Sequence, residues 1–117
     1  MLKVEALVRP ERIHEVTKAL EASGCTGCYY DNVTGQGSQK SVGVITGRGG
    51  QIATRSAVPE TRVTVIIQND QVEAVVNAIV GAARTSEEAH GSDGKIFVSE
   101  IADAIRIRNG DRGDSAL

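Results

Sequence analysis

Three short glycine-containing segments carry the groups with which this chain could bind an anion: residues 35–37, 47–50 and 91–95. Backbone N–H groups that are exposed in such segments can hold phosphate oxygens. None of the three matches the Walker pattern, because Gly94 and Lys95 are followed by isoleucine rather than by serine or threonine, and none matches the dinucleotide fingerprint. Taken singly, each segment is more typical of a turn than of a phosphate site.

Two arginines further along the chain strengthen the case for an anion site. Arg106 and Arg108 are two positions apart on a predicted strand, so both guanidinium groups are expected on one face. Converging arginines repel each other unless an anion or a carboxylate lies between them, and Lys95, one short strand away, could join them. The alternative is a solvated edge strand balanced by Asp103 and Asp111. Spacing alone does not decide between a polyphosphate site and this charged edge.

A second candidate for chemistry is the C-x-x-C pair formed by Cys25 and Cys28. It supplies half of a zinc site at most, because His14 and His90 are far apart in the sequence and belong to no ligand pair. If both cysteines lie on a strand, their separation puts them on opposite faces, where they cannot chelate a metal or cross-link together. Two small packing residues are therefore favoured over a metal-binding or redox function.

The composition argues against several other classes of function. The formal net charge of −2 gives no basic surface for a nucleic acid, and Tyr29, Tyr30 and Phe97 are too few aromatics for a base-stacking platform. No Ser–His–acid grouping can be assembled, so an enzyme is the weaker interpretation. Charged residues interrupt the apolar N-terminal stretch, and no apolar run approaches the roughly eighteen residues that a membrane span needs. The expected location is the cytoplasm.

The elements that position these groups follow from the apolar periodicity. Alternation over residues 2–8 predicts a first strand, and helical spacing after Pro10 predicts a helix that ends at Gly24. Residues 29–33 are predicted as a second strand. Residues 34–57 follow, rich in Gly, Ser, Thr and Gln and with no persistent period. A structureless loop of this length in a small domain is unusual and tends to be functional.

The second half of the chain repeats this pattern. Alternation over residues 63–67 predicts a third strand, and Asp70 is the predicted N-cap of a second helix. The buried stripe of that helix is predicted at Val72, Val75, Val76, Ile79 and Ala83. A polar loop over residues 85–93 leads to a strand at residues 95–99, and a last extended piece at residues 105–108 precedes a polar tail.

This order of elements predicts one α+β domain over residues 1–117 with a ferredoxin-like βαββαβ fold. Its antiparallel sheet has both helices on one face, so apolar residues on the other face, such as Leu7 and Ile66, are left in water. A chain this small usually covers such a face by forming an oligomer.

Several segments of the sequence resemble the PII signal-transduction proteins. The strongest is Asp-Gly-Lys-Ile-Phe-Val-Ser at residues 93–99, continued by Ala-Ile-Arg-Ile-Arg at residues 104–108 and by Gly110, which is similar to the family's C-terminal signature. The matching segments upstream are Val4-Glu-Ala, Arg9-Pro10, residues 24–27 and residues 35–40. The resemblance covers nearly the whole chain.

The resemblance implies a homotrimer with ATP, ADP or AMP in each cleft between subunits, and magnesium accompanying ATP. The nucleotide-binding residues that it carries over are Gly27, Gly35, Gly37, Gln39, Lys40, Ile66, Gly91, Asp93, Gly94, Lys95, Arg106 and Arg108. Gly27 and Ile66 would line the nucleoside, and residues 91–95 with the two arginines would hold the phosphates.

The resemblance also divides the domain into functional segments. Residues 36–57 correspond approximately to the family's T-loop, residues 85–95 to its nucleotide loop and residues 109–117 to its C-terminal tail. The T-loop reaches a partner protein and changes shape with the bound ligand, and Arg48 loosely resembles the arginine that plugs ammonium channels. The family acts by docking on transporters and metabolic enzymes rather than by catalysis.

The chain departs from the family's pattern at positions that affect ligand choice. Ser38 stands where the family usually has an arginine that contacts phosphate, and Glu60 where it carries a lysine that helps to bind 2-oxoglutarate. A carboxylate there repels a dicarboxylate by about 1 kcal/mol in a partly dry cleft. Residues 86–90 lengthen the nucleotide loop, and the T-loop has no tyrosine, so uridylylation of a tyrosine in that loop is excluded.

Two interpretations follow from these departures. In the first, the chain senses ATP against ADP, responds weakly or not at all to 2-oxoglutarate, and controls an ammonium transporter or a metabolic enzyme. The alternative is a divergent member linked to inorganic carbon uptake, which prefers ADP or AMP, binds bicarbonate and contacts a bicarbonate transporter. Ser38 and Glu60 favour the alternative, and Gln39-Lys40 favour the first interpretation. Membrane contact is expected only through a transporter.

Overall fold

Six strands and two α-helices lie in the part of the chain that the computed structural model describes, which comprises residues 1–36, 42–46, 51–55, 57–85 and 93–117. In chain order they are β1 (Leu2–Val8), α1 (Ile13–Ala22), β2 (Tyr29–Gln36), β3 (Val42–Thr46), β4 (Gln51–Arg55), β5 (Ala57–Ile67), α2 (Val72–Ala83) and β6 (Gly94–Glu100).

Four of the strands form one antiparallel sheet in the order β2-β5-β1-β6. β1 is paired along its whole length on both sides, because Leu2 lies opposite Ile67 and Glu100, and Val8 lies opposite Thr61 and Gly94. This arrangement confirms the predicted ferredoxin-like α+β fold.

The alternating apolar residues of β1 and β5 form the floor of the core. Val4, Ala6 and Val8 are buried, as are the side chains opposite them on β5. The helices cover this face with Val16, Leu20, Val75, Ile79 and Ala83, which belong to the same apolar cluster. The stripe predicted for the second helix therefore faces the sheet at Val75, Ile79 and Ala83, with Val72 packed beside them and Val76 outside the cluster. Gly24 follows α1 with a φ of +93°. Among the described residues, neither helix combines the length and the hydrophobicity of a membrane-spanning segment.

The opposite face of the sheet carries no helix. Leu7 and Ile66 are partly exposed there, as the sequence predicted. Tyr29 is 63% exposed and Phe97 is 50% exposed on the same face, at its two edges. This uncovered face (Leu7, Tyr29, Ile66 and Phe97) is hereafter the open face.

The long loop and the start of the second helix differ from their predictions. The segment predicted to be structureless contains the strands β3 and β4, which pair as a separate antiparallel ribbon, and β2 and β5 extend into it. Asp70 is not the N-cap of the second helix, because it lies inside a 3₁₀ turn (Asn69–Gln71) that Gln68 caps, and the N-cap of α2 itself is Gln71. The Gln71 side chain accepts a hydrogen bond from the Gln68 N–H group at 2.9 Å, so glutamines replace the expected carboxylate.

Arg12 joins the start of α1 to the end of α2. Its Nε and Nη2 groups donate to the Ala82 carbonyl oxygen at 2.9 and 2.7 Å, which satisfies a carbonyl in the last turn of α2. We expect Arg12→Ala to lower the free energy of unfolding by about 1–2 kcal/mol, because a charged donor is lost from a partly buried carbonyl. Urea unfolding measures the change, with Arg12→Lys, which keeps the charge but not the fork, expected between the two. Equal stability of all three proteins would show that the contact is not stabilising.

Candidate functional site

The base of the predicted nucleotide loop is closed by Asp93. The Thr85 hydroxyl donates to Asp93 Oδ1 at 2.5 Å, and the Thr85 N–H group donates to Oδ2 at 3.3 Å. Arg9 Nε, at the end of β1, donates to Oδ1 at 3.3 Å. The Thr85 side-chain hydrogen bond, with smaller contributions from the Thr85 N–H group and Arg9, lowers the pKa of Asp93 below its ordinary value although desolvation opposes the shift. The carboxylate is therefore ionised at neutral pH and engaged by three donors.

Gly94 fixes the start of β6 against β1. Its φ is +112°, and a Cβ atom built on it would lie 1.7 Å from the Leu7 carbonyl oxygen. Only glycine fits this close backbone approach. Lys95 follows, with an exposed side chain, so a cation stands directly beside the closed loop base.

A cavity of about 380 Å³ lies between α2 and the start of β6. Val76 and Val80 of α2 and Ile96 of β6 line it with apolar groups, and Arg84 and Lys95 are among its other lining residues. It places the predicted phosphate-binding residues Asp93, Gly94 and Lys95 around one concave surface.

Gly27 and Ile66, which the resemblance assigns to the nucleoside, line a second cavity of about 120 Å³. Gln68, Gln71 and Leu117 complete this second cavity with polar and apolar groups. The two residues thus occupy a common concavity, and Leu117 is an additional lining residue.

The predicted strand over residues 105–108 is wrong. Ile105 makes a single bridge to Arg112, and a turn occupies residues 107–109. The inference that Arg106 and Arg108 share a strand face therefore fails.

Arg106 instead contacts Leu117, which lines the small cavity. Its Nη2 group donates to the Leu117 carbonyl oxygen at 3.3 Å, and its Nη1 atom lies 3.8 Å from Asp111 Oδ2. Arg108 is exposed in the adjoining turn. Asp111 is also one of the two carboxylates named in the charged-edge alternative, so a counter-charge does lie beside this arginine.

The described site residues fall into two groups at opposite ends of the sheet. On β1, Lys3 lies opposite Ile66 and Leu7 lies opposite Lys95, and four residues of a strand span about 13 Å. We call Gly27, Ile66, Arg106 and Arg108 the C-terminal half-site, and Gly35, Asp93, Gly94 and Lys95 the loop half-site.

Gly35 lies at the same end of the sheet as Lys95, but on the edge strand β2, whereas Lys95 lies on the opposite edge strand β6. It lies opposite Val58 on β5, three positions beyond Thr61, which is the partner of Val8. A Cβ atom on Gly35 would lie 2.6 Å from Glu60 Oε2, so the Glu60 carboxylate stands directly over this glycine. The negative charge that the sequence places at position 60 is thus next to a predicted nucleotide-binding residue.

Five predicted functional residues lie outside the described residues: Gly37, Gln39, Lys40, Gly91 and Arg48. Their assignment stays a prediction.

The cysteines show no arrangement for metal or redox chemistry. Both thiols are free, and both precede β2, so the opposite-face argument that applies to a strand does not apply to this pair. Partial burial, and then proximity to Cys25, raise the pKa of Cys28, which lowers its thiolate fraction. Among the described residues no group of three or more His, Cys, Asp or Glu side chains could hold a metal ion. Cys25 packs against the core as predicted, whereas Cys28 is exposed, so the prediction of two packing residues is wrong for Cys28.

Three residues near the two half-sites were not predicted from the sequence: Arg9, Thr85 and Leu117. Arg9 was noted only as part of the Arg9-Pro10 segment that resembles the family, yet its side chain forms an ion pair with Asp93. Thr85 lies two residues after the end of α2 and Asp93 directly precedes Gly94-Lys95, which is a spacing that could have indicated a closed loop base. Leu117 carries no signal of its own, because its contact with Arg106 depends on the unexpected turn.

The lowered pKa of Asp93 predicts a loss of stability in acid. A carboxyl group with a lowered pKa stabilises the folded state above its ordinary pKa, and this contribution disappears as the pH falls through the lowered value. We expect Asp93→Asn to be less stable than the parent at about pH 7, and the two to converge as the pH falls well below the ordinary carboxyl pKa of about 4. Urea unfolding over this pH range measures the difference. A difference that does not change with pH would exclude the ionised form as its source.

A family model and individual relatives of this chain point to the same protein family. The sequence model described as "Nitrogen regulatory protein P-II" matches residues 1–111. The chain is 35% identical over 117 residues to "Nitrogen regulatory protein P-II 2" of Methanothermobacter thermautotrophicus, covering all of this chain and 97% of that protein. It is 39% identical over 117 residues to "Nitrogen regulatory protein P-II" of Cereibacter sphaeroides, with full coverage of both.

A solved structure shows the same fold. The structure titled "Crystal Structure of Arabidopsis thaliana PII bound to citrate" superposes with a TM-score of 0.76 at 37% identity, covering 99% of this chain and 91% of that one.

Proposed function

Because the chain belongs to the nitrogen regulatory protein P-II family, we propose that it binds an adenine nucleotide and controls a target protein through its T-loop. Members of this family are signal-transduction regulators and not enzymes, which confirms the expectation of a regulator. They generally bind adenine nucleotides and regulate target proteins as trimers.

The separation of the two half-sites is the observation that carries the proposal. The C-terminal half-site offers a small cavity for a nucleoside and two arginines, and the loop half-site offers the backbone at Gly94 and the Lys95 side chain for phosphates. About 13 Å of β1 separates them in one chain. A second copy that presents its C-terminal half-site to the loop half-site of the first would complete a nucleotide site.

The open face supports the association that such a site needs. Exposed aromatic residues at both edges and partly exposed Leu7 and Ile66 give it an apolar surface without a helix to cover it. Burial of such a face between copies is the usual solution for a chain of this size. We therefore propose a homotrimer, with ATP or ADP as the principal ligand and magnesium as the companion of ATP.

Glu60 limits the proposed response to 2-oxoglutarate. Its carboxylate lies over Gly35, beside the T-loop base, where it would repel a dicarboxylate. The matched relatives are named as nitrogen regulators and give no support to the carbon-linked alternative. The proposed partner is an ammonium transporter or a metabolic enzyme. Location in the cytoplasm stays a prediction.

Calorimetric titration with ATP, ADP and AMP, each with and without 2-oxoglutarate or bicarbonate, tests the proposal. We expect ATP and ADP to bind and 2-oxoglutarate to change the ATP affinity by less than about threefold. Glu60→Lys, which restores the family's charge, should increase the response to 2-oxoglutarate, with Glu15→Lys at an exposed position of α1 as a control for net charge. A preference for AMP together with an effect of bicarbonate would favour the alternative, and absence of nucleotide binding would overturn the proposal.

A further inference from the structure

We propose that Asp93 acts as a positioning residue for the nucleotide site: with Thr85 and Arg9 it latches the two ends of the nucleotide loop instead of contacting the ligand's phosphates. This inference rests on the proposed function. It concerns how the loop half-site is held in a binding geometry, and it assigns to Arg9 and Thr85 a task that neither the sequence motifs nor the half-sites gave them.

The latch brings three elements to one point. Thr85 follows the end of α2, Asp93 precedes β6, and Arg9 follows β1. Both carboxylate oxygens of Asp93 are used: Oδ1 accepts from the Thr85 hydroxyl and from Arg9, and Oδ2 accepts from the Thr85 N–H group. The carboxylate is therefore directed to the loop base and to a cation of its own chain.

The charge of Asp93 also argues against a phosphate contact. An ionised carboxylate beside a polyphosphate would repel it, whereas the same carboxylate held by Arg9 has its charge balanced within the chain. Next to it, the positive φ of Gly94 and its close approach to Leu7 fix the backbone that carries Lys95. The latch and the glycine together fix the orientation of the groups that face the ligand.

The length of the nucleotide loop explains why the latch is expected to affect the affinity for the nucleotide. Eight positions separate Thr85 from Asp93, and the sequence carries extra residues there compared with the family's pattern. A hydrogen-bonded closure holds residues 85 and 93 together before the ligand arrives, so less ordering must accompany binding. We expect loss of the latch to weaken nucleotide binding by about tenfold.

Thr85 offers a matched pair of variants. Thr85→Val keeps the shape and removes the hydroxyl, and Thr85→Ser keeps the hydroxyl. Nucleotide affinity is measured by calorimetry well below the unfolding temperature of each protein. We expect about tenfold weaker ATP binding for Thr85→Val and for Arg9→Ala, and near-parental binding for Thr85→Ser. Glu11→Gln, which alters a 4.0 Å contact of Arg9 but not the contact with Asp93, should bind as the parent does.

Asp93→Asn separates the two possible functions of the carboxylate by the sign of its effect. If the carboxylate faced the phosphates, removing its charge would make the protein bind ATP more tightly, whereas the latch predicts that the variant binds ATP more weakly. Failure of the parent protein to bind nucleotide would overturn the proposed function itself. If the parent binds ATP, any one of three results would overturn the latch. Thr85→Val and Arg9→Ala could bind ATP as tightly as the parent, Thr85→Ser could lose affinity, or Asp93→Asn could bind ATP more tightly.

Discussion

Replacing Gly94 by alanine is expected to destabilise the folded chain by about 3 kcal/mol or more. A φ of +112° is costly for any residue with a side chain, and the new methyl group would lie 1.7 Å from the Leu7 carbonyl oxygen. Leu7 lies in the centre strand of the sheet and is paired on both sides, so the backbone cannot move away without breaking ladder hydrogen bonds. For a domain of this size the change corresponds to a fall of about 10 °C in the unfolding temperature.

Gly81→Ala provides the control for this substitution. Gly81 lies in α2, and a Cβ atom on it would meet no atom within 4 Å. Alanine there should raise stability by about 0.5 kcal/mol, because it reduces the conformational freedom of the unfolded chain. Thermal and urea unfolding of both variants measure the two effects. If Gly94→Ala were as stable as the parent, the close approach of β6 to β1 would be wrong.

Replacing both Arg106 and Arg108 by alanine is expected to weaken ATP binding by at least about 100-fold, while the chain stays folded. Each guanidinium can donate charge-assisted hydrogen bonds to phosphate, and both residues are exposed outside the core. Arg106 would have to exchange its contacts with Asp111 and Leu117 for the ligand.

Calorimetry of the double variant measures the loss, and size-exclusion chromatography checks that its oligomeric state is unchanged. Lys18→Ala removes an exposed cation of α1, away from both cavities, and should bind ATP as the parent does. Retention of ATP binding by the double variant would remove the arginines from the site.

The sequence predicted the parts of the fold whose side chains repeat with a period. β1 alternates and both helices show an apolar stripe, because in each element one face packs against a shared core. The β3–β4 ribbon escaped prediction because its segment is rich in small polar residues. Asp70 was chosen as a cap on residue preference, whereas two glutamines provide the capping contacts.

The C-terminal segment shows how a pattern can mislead. Ile-Arg-Ile-Arg alternates as a strand would, yet Ile105 is 52% exposed and Ile107 is fully exposed, so no buried face produced the alternation. Backbone hydrogen bonds made by Arg106 with Asp111 and Gly110 form a turn instead. In the same way, residues of both half-sites were predicted from the sequence, but not that the half-sites lie at opposite ends of β1. Residue spacing does not give the register of strands that are distant in the sequence.

Mixing two binding-deficient variants tests most directly whether two copies share the nucleotide site. Lys95→Ala damages the loop half-site, and Arg106→Ala with Arg108→Ala damages the C-terminal half-site, so neither protein should bind ATP alone. After joint unfolding and refolding at equal amounts, random assembly of trimers would give about a quarter of the sites two intact halves. The account predicts calorimetric ATP binding at about this fraction. A mixture that binds no ATP, although it refolds into trimers and the parent protein treated in the same way binds, would contradict a site shared between copies.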